Sequence, residues 1–139
     1  MAQKVRELMT SAPVSVTPAQ PLTAAARAMR DQGIGAVLVT DGGQLKALLT
    51  DRDIVVRVVA DGRDPGQTPV AEACSPDLIT VGPDDDVDTA VRRMREHAVR
   101  RVPVVEDGRA VGVLSIGDTA IERDENSALA DISAEAPNT

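Results

Sequence analysis

The chain contains no phenylalanine, tyrosine or tryptophan, and only one cysteine and one histidine. Its core therefore has to be packed from Val, Ile, Leu, Met and Ala. With no aromatic face to stack on, a bound ring would lie between aliphatic groups and backbone. The same lack, together with a net charge of −7, argues against nucleic-acid binding, which draws on cationic surfaces and aromatic platforms. Cys74 stands alone, so there is no intrachain disulfide and no basis for a thiolate metal site. His97 lacks the second histidine, cysteine, serine or paired carboxylate that catalysis or metal binding needs, so neither an enzyme nor a metal site is expected. No segment approaches the roughly 20 apolar residues of a membrane span, and Met1–Arg6 has no apolar run like a signal peptide. The expected location is cytoplasmic.

What is present is a duplication. Leu45-Lys46-Ala47-Leu48-Leu49-Thr50-Asp51-Arg52-Asp53 recurs without a gap, 65 positions later, as Ala110-Val111-Gly112-Val113-Leu114-Ser115-Ile116-Gly117-Asp118. Each copy is an apolar strand running into Ser/Thr, two variable residues and Asp, then apolar residues at helical spacing such as Ile54, Val55, Val58 and Val59. The same offset relates Val5-Arg6-Glu7-Leu8-Met9 to Val70-Ala71-Glu72-Ala73-Cys74, both read as short helical turns. It also relates the short strands Val14-Ser15-Val16 and Ile79-Thr80-Val81, which Pro18 and Pro83 end.

Helices follow. One starts near Pro21 with Leu22, Ala25, Ala26 and Met29 on one face; its copy starts among Asp84, Asp85 and Asp86 with Val87, Ala90, Val91 and Met94. Two strands around a tight turn come next, Ala36–Val39 and Leu45–Leu49 about Asp41-Gly42-Gly43. Their copies are Val102–Val105 and Ala110–Leu114 about Glu106-Asp107-Gly108. Pro103 belongs at a strand edge or start. The expected organisation is repeat 1 over residues 1–60, a turn-rich linker over 61–69, repeat 2 over 70–123 and a mobile acidic tail over 124–139. The fold class is α/β: two pseudo-twofold-related β-α-β-β-α repeats with small sheets packed against helices. Half of this chain buries little core alone, whereas two copies can cover each other.

The Ser/Thr-x-x-Asp pairs admit two readings. Thr50 with Asp53, and Ser115 with Asp118, form variants of the reciprocal cap at a helix start, worth on the order of 1 kcal/mol. Alternatively, each carboxylate accepts two hydrogen bonds from a vicinal diol such as a ribose, while the hydroxyl and helix start face a polar or anionic group.

The doubled order of short helix, strand, helix, two strands and helix resembles a tandem CBS-domain pair, or Bateman module, of the stand-alone bacterial type. Ala47–Asp53, Gly112–Asp118 and the basic-apolar stretch Arg100-Arg101-Val102-Pro103-Val104-Val105 carry the resemblance, which spans Val5 to Glu122. It implies regulatory binding of AMP, ADP, ATP or S-adenosylmethionine in clefts between the repeats, and no other cofactor. Asp53 and Asp118 match the ribose position, and Thr50 and Ser115 the polar position near ribose or phosphate. Arg101, with Arg100, matches a phosphate-reaching position. Val14, Val16, Ile79 and Val81 match the strands beside the base, with Ile34 and Val99 as walls.

Two departures predict unequal sites. Ala47 stands where the motif has glycine, and Gly35 and Ala36 stand where the second half has Arg100 and Arg101. The preferred site is expected near Asp118 and Arg101, with affinity of roughly 10 μM to 1 mM. A homodimer through apolar helix faces and a separate client protein are the expected partners. A protein-interaction module whose clefts stay empty is the alternative.

Overall fold

The computed structural model describes residues 3–11, 14–74 and 78–123, with side chains through Thr119. The acidic tail expected over 124–139 lies outside them. In chain order the elements are α1 (Val5–Leu8), β1 (Thr10–Ser11), β2 (Ser15–Val16), α2 (Leu22–Gln32), β3 (Ala36–Asp41), β4 (Gln44–Thr50) and α3 (Asp51–Ile54). A π-helical turn, Val55–Val59, continues α3, and a 3₁₀ turn, Val70–Glu72, follows. The chain then forms α4 (Val87–Glu96), β5 (Arg101–Glu106), β6 (Arg109–Ser115) and α5 (Ile116–Arg123).

These elements gather into two compact units, one of residues 14–74 and the other joining residues 3–11 to 79–123. The grouping in space thus differs from the sequential halves, because each short opening turn docks on the helix entrance of the other repeat. In the first unit the Leu22 N–H donates to the Thr68 carbonyl (2.9 Å), Val70 to Gln20 (2.8 Å) and Ala71 to Pro18 (3.0 Å). In the second unit Val87 donates to Gln3, Val5 to Asp85 and Arg6 to Pro83, all at 2.9 Å. The two docking patterns are the same pattern shifted by one repeat.

Each unit has a three-stranded sheet, in the orders β2-β3-β4 and β1-β6-β5. The hairpins agree in detail: Ala36 pairs with Thr50 as Arg101 pairs with Ser115, and each ladder slips one residue, at Val39/Thr40 and at Val104/Val105. The second hairpin turns through Asp107 and Gly108, both with positive φ (54° and 79°). Such a two-residue turn follows the right-handed twist of the flanking strands.

The expected strand at Ile79–Val81 reduces to a single parallel bridge between Val81 and Val104, whereas its counterpart β2 pairs with β3 over two residues. Pro103 accounts for the difference. At the equivalent position Leu38 donates its N–H to the Val14 carbonyl at 2.9 Å, a bond that proline cannot make. Pro103 keeps only the acceptor half, taking a bond from Val81 N–H at 3.1 Å. Its missing donor faces the short bridge, so the β5–β6 ladder loses nothing.

Burial follows the apolar spacing, with exceptions at one position of α2 and two after α3. Leu22, Ala25 and Met29 of α2 join Val16, Val37, Val39, Ala47, Leu49, Ile54, Val58 and Val70 in one core. Ala26, expected on the same face, is exposed. The other core holds Val5, Val81, Ala90, Met94, Val102, Val104 and Leu114, with Val91 partly buried against it. After α3 the helix widens, as the Ala60 N–H donates five residues back to the Val55 carbonyl at 2.9 Å. The wider turn keeps Val58 at 0% exposure but leaves Val55 and Val59, expected to pack, at 57% and 56%.

Gly112 is a packing requirement. A Cβ there would lie 2.8 Å from the Thr10 carbonyl oxygen and 2.6 Å from Met9 Sδ, so β1 could not approach β6. The pressure toward glycine in this motif comes from the chain's own opening segment. Ala47, the counterpart, is 3% exposed and packs within its core.

The acidic run at Asp84–Asp86 also turns to docking. Lys4 Nζ bonds Asp86 Oδ1 at 3.0 Å, and Arg6 reaches Asp84 at 2.8 Å and Glu106 at 3.6 Å. The Asp86 carboxylate holds the Lys4 ammonium above the usual lysine range. These pairs are exposed and individually worth little; they orient α1 over the α4 entrance. Among the described residues no helix is long and apolar enough to cross a membrane.

Candidate functional site

Both Ser/Thr-x-x-Asp motifs sit where a strand turns directly into a helix. Thr50 ends β4, and its Oγ1 accepts from the Asp53 N–H at 3.1 Å while Asp53 Oδ2 accepts from the Thr50 N–H at 2.9 Å. Ser115 ends β6 with the same exchange: Oγ accepts from Asp118 N–H at 3.1 Å, and Asp118 Oδ2 accepts from Ser115 N–H at 3.0 Å. The capping reading is therefore realised in full, and it spends one oxygen of each carboxylate. The Asp51 N–H donates to the Gly35 carbonyl at 3.0 Å and Ile116 to Arg100 at 2.8 Å, which locks each junction to the neighbouring strand.

The two junctions differ in what surrounds the second carboxylate oxygen. Arg101 is the cross-strand partner of Ser115, and paired residues carry their side chains on one face, about 4.5–5.5 Å apart at Cβ. Arg101 is half-buried, and among the described residues no carboxylate lies within ion-pair distance of it. A cation, a hydroxyl and Asp118 thus share one corner, and Asp118 Oδ1 has no hydrogen-bond partner among the described residues. The first turn of α5 also leaves the Gly117 N–H without a side-chain partner among the described residues.

In the first unit the place of Arg101 is taken by Ala36, paired with Thr50. Here the Arg52 N–H donates to Asp51 Oδ1 at 2.8 Å, and Arg57 Nε lies 4.0 Å from Asp53 Oδ1. Arg57 Nη1 also donates to the Ala73 carbonyl at 3.3 Å. Sequence reasoning passed over Arg57. Its signal was the i,i+4 spacing from Asp53, which brings the two to one helix face.

The remaining predicted residues fall into two groups. Val16 and Val81 are 6% and 3% exposed and belong to the two cores; their side chains are committed to packing. Val14 and Ile34 are partly buried against one core, Ile79 and Val99 against the other, so all four retain apolar surface. Arg100 is exposed, and its carbonyl is the group that holds the α5 entrance. Cys74 is half-buried with its thiol pushed up by burial, the behaviour of a packing residue.

The family model for the CBS domain matches twice, over residues 5–60 and 70–120. The chain belongs to the CBS-domain family. Its α/β architecture is that of a CBS pair. CBS domain-containing protein YhcV of Bacillus subtilis is 40% identical over 133 residues, covering 93% of this chain and 94% of its own. Hypoxic response protein 1 of Mycobacterium tuberculosis is 36% identical over 116 residues, 83% of this chain and 81% of its own. A crystal structure of Hypoxic Response Protein I with two coordinated zinc ions matches with a TM-score of 0.77 at 35% identity, covering 85% of this chain and 97% of that one. Among the described residues of this CBS pair no three His, Cys, Asp or Glu side chains gather to hold a metal. The CBS pair of protein MJ0100, solved with 5′-methylthioadenosine and S-adenosyl-L-methionine, has the same fold at 22% identity, TM-score 0.83, over 91% of this chain and all of that one (100%).

Proposed function

We propose that this CBS pair is a regulatory sensor. It takes an adenosine-containing ligand, AMP, ADP, ATP or S-adenosylmethionine, at the Ser115–Asp118 corner and modulates a separate partner protein without catalysing a reaction. The observation that carries this reading is the pairing of Arg101 with Ser115 beside Asp118, which sets a cation for phosphate next to a carboxylate for a diol. The aliphatic side chains of Ile79 and Val99, partly buried in the same unit, suit a base in a chain without aromatic residues. The MJ0100 neighbour adds that this fold accommodates such molecules.

Thermal melting with AMP, ATP and S-adenosylmethionine tests the reading. Ligand at 100 times its dissociation constant should stabilise the protein by about 2.7 kcal/mol, followed by calorimetry or dye fluorescence because there is no Trp or Tyr. The complete reciprocal caps favour a second reading, a protein-interaction module with no nucleotide. No shift with any of the three ligands would decide for it.

Self-association is part of the proposal. Val55, Val56 and Val59 are 57%, 50% and 56% exposed on one short helical segment, an apolar surface that a second copy of the chain would cover. Sedimentation equilibrium should give a dimer, and Val56→Asp combined with Val59→Asp should shift it to monomer. A wild-type monomer at high micromolar concentration would refute this.

A further inference from the structure

We propose that the first repeat's motif is closed by its own side chains, so that Asp51 and Arg57 confine ligand binding to one molecule per chain, at the second repeat. The inference rests on the ligand-sensing reading above and adds which residues set its stoichiometry. At the first motif the groups a nucleotide would meet have charged neighbours supplied by the same helix. Asp53 Oδ2 holds the Thr50 N–H at 2.9 Å, and Arg57 stands 4.0 Å from Oδ1, where a diol would bond. The Arg57 guanidinium is held there by a second anchor, the Ala73 carbonyl at 3.3 Å. The Asp51 carboxylate takes the Arg52 N–H at 2.8 Å and sets a negative charge where a phosphate would come. No cation balances it from β3, because Ala36 occupies that position.

The second motif carries the opposite residue at each place. Ile116 stands for Asp51, Arg101 for Ala36, and by sequence register Glu122 for Arg57. A side chain that offers no acceptor leaves the Gly117 N–H open, and the position equivalent to Arg57 carries an acid in place of a cation. A cation beside a carboxylate competes with a diol for the same lone pairs. Two copies of one motif have thus diverged into an open corner and a self-occupied one.

Isothermal titration with AMP and with S-adenosylmethionine tests this on the full chain. Wild type should show one binding event, and Asp118→Ala the same event weakened about 10- to 100-fold. Asp51→Ala combined with Arg57→Ala should gain a second event. The same pair added to Asp118→Ala should bind at least about tenfold more tightly than Asp118→Ala alone, the equivalent of one charged hydrogen bond. Arg57→Gln, which keeps the stem and a donor toward Ala73, serves in case alanine at 57 unseats the helix; cooperative melting verifies folding. A single event in the Asp51/Arg57 variants, weakened on adding Asp118→Ala to the level of Asp118→Ala alone, overturns the closure and leaves the sensing function standing. Two events in wild type, one removed by Asp53→Ala, also overturn it. Flat titrations of wild type and every variant with both probes overturn the sensing function and the closure with it.

Discussion

Asp118→Ala should weaken binding of AMP or S-adenosylmethionine by about 10- to 100-fold. A carboxylate that accepts from a ligand hydroxyl contributes roughly 1.5–3 kcal/mol per bond. The substitution also removes half of a reciprocal cap, since Asp118 Oδ2 accepts from the Ser115 N–H at 3.0 Å, so the unliganded protein should lose on the order of 1 kcal/mol. Asp118→Asn separates these two roles. Its amide oxygen can keep the bond to Ser115 while the charge that favours a diol is gone, so stability should stay near wild type and affinity should still fall. Calorimetry of both variants against wild type reads the difference. Wild-type affinity in Asp118→Ala would mean that the carboxylate is only a cap.

That one side chain can be cap and ligand group together explains why the sequence could be read both ways at this motif. The pattern Ser/Thr-x-x-Asp specifies the helix start completely: the hydroxyl and the carboxylate each answer a backbone N–H within the motif. The ligand reading needs information from outside the motif, namely which residue β3 or β5 sets opposite the hydroxyl. The contrast of Gly35 and Ala36 with Arg100 and Arg101 was visible in the sequence, and the strand register turns it into Arg101 facing Ser115 and Ala36 facing Thr50. Arg57 was not visible in this role. Charged residues on a short helix are usually solvated, and only its approach to both Asp53 and Ala73 marks it out.

For the fold, local chemistry was enough wherever neighbours in sequence are neighbours in space. The hairpins follow from apolar runs around Gly42-Gly43 and Asp107-Gly108, and α2 and α4 from Leu22, Ala25 and Met29 and from Val87, Ala90 and Met94. Two features needed more. The loss of a strand at Ile79–Val81 follows from a proline one strand away, where an absent N–H denies a bond to a segment more than twenty positions earlier. The π turn at Val55–Val59 rotates two valines outward that a regular helical period would have turned toward the core.

The exchange of the opening turns is the feature least accessible to pattern, because the two turns and the two slots that receive them are chemically alike. Val5 and Val70 are both 0% exposed, and each fills a core whose hydrogen bonds to the helix entrance match the other's. Only the path of the chain distinguishes the pairings, and it places Val5 with Val81, Val104 and Leu114, and Val70 with Leu22, Leu49 and Val58. Val5→Ala should therefore destabilise by about 2–3 kcal/mol, the loss of two buried methyl groups and the cavity they leave. Its effect should appear at a distance in sequence. Hydrogen exchange should speed up in β5 and β6, residues 101–115, and stay near wild type in β3 and β4, residues 36–50. Val70→Ala should give the mirror result, loosening β3 and β4 and sparing β5 and β6. If Val5→Ala instead loosened residues 36–50, the turn would pack within its own repeat and the grouping of residues 3–11 with 79–123 would be wrong. Because Gly112 lets β1 lie against β6 only two strands from Arg101, the same docked segment also steadies the strand that carries Ser115. Val5→Ala should then weaken ligand binding as well, whereas Val70→Ala should leave it near the wild-type value.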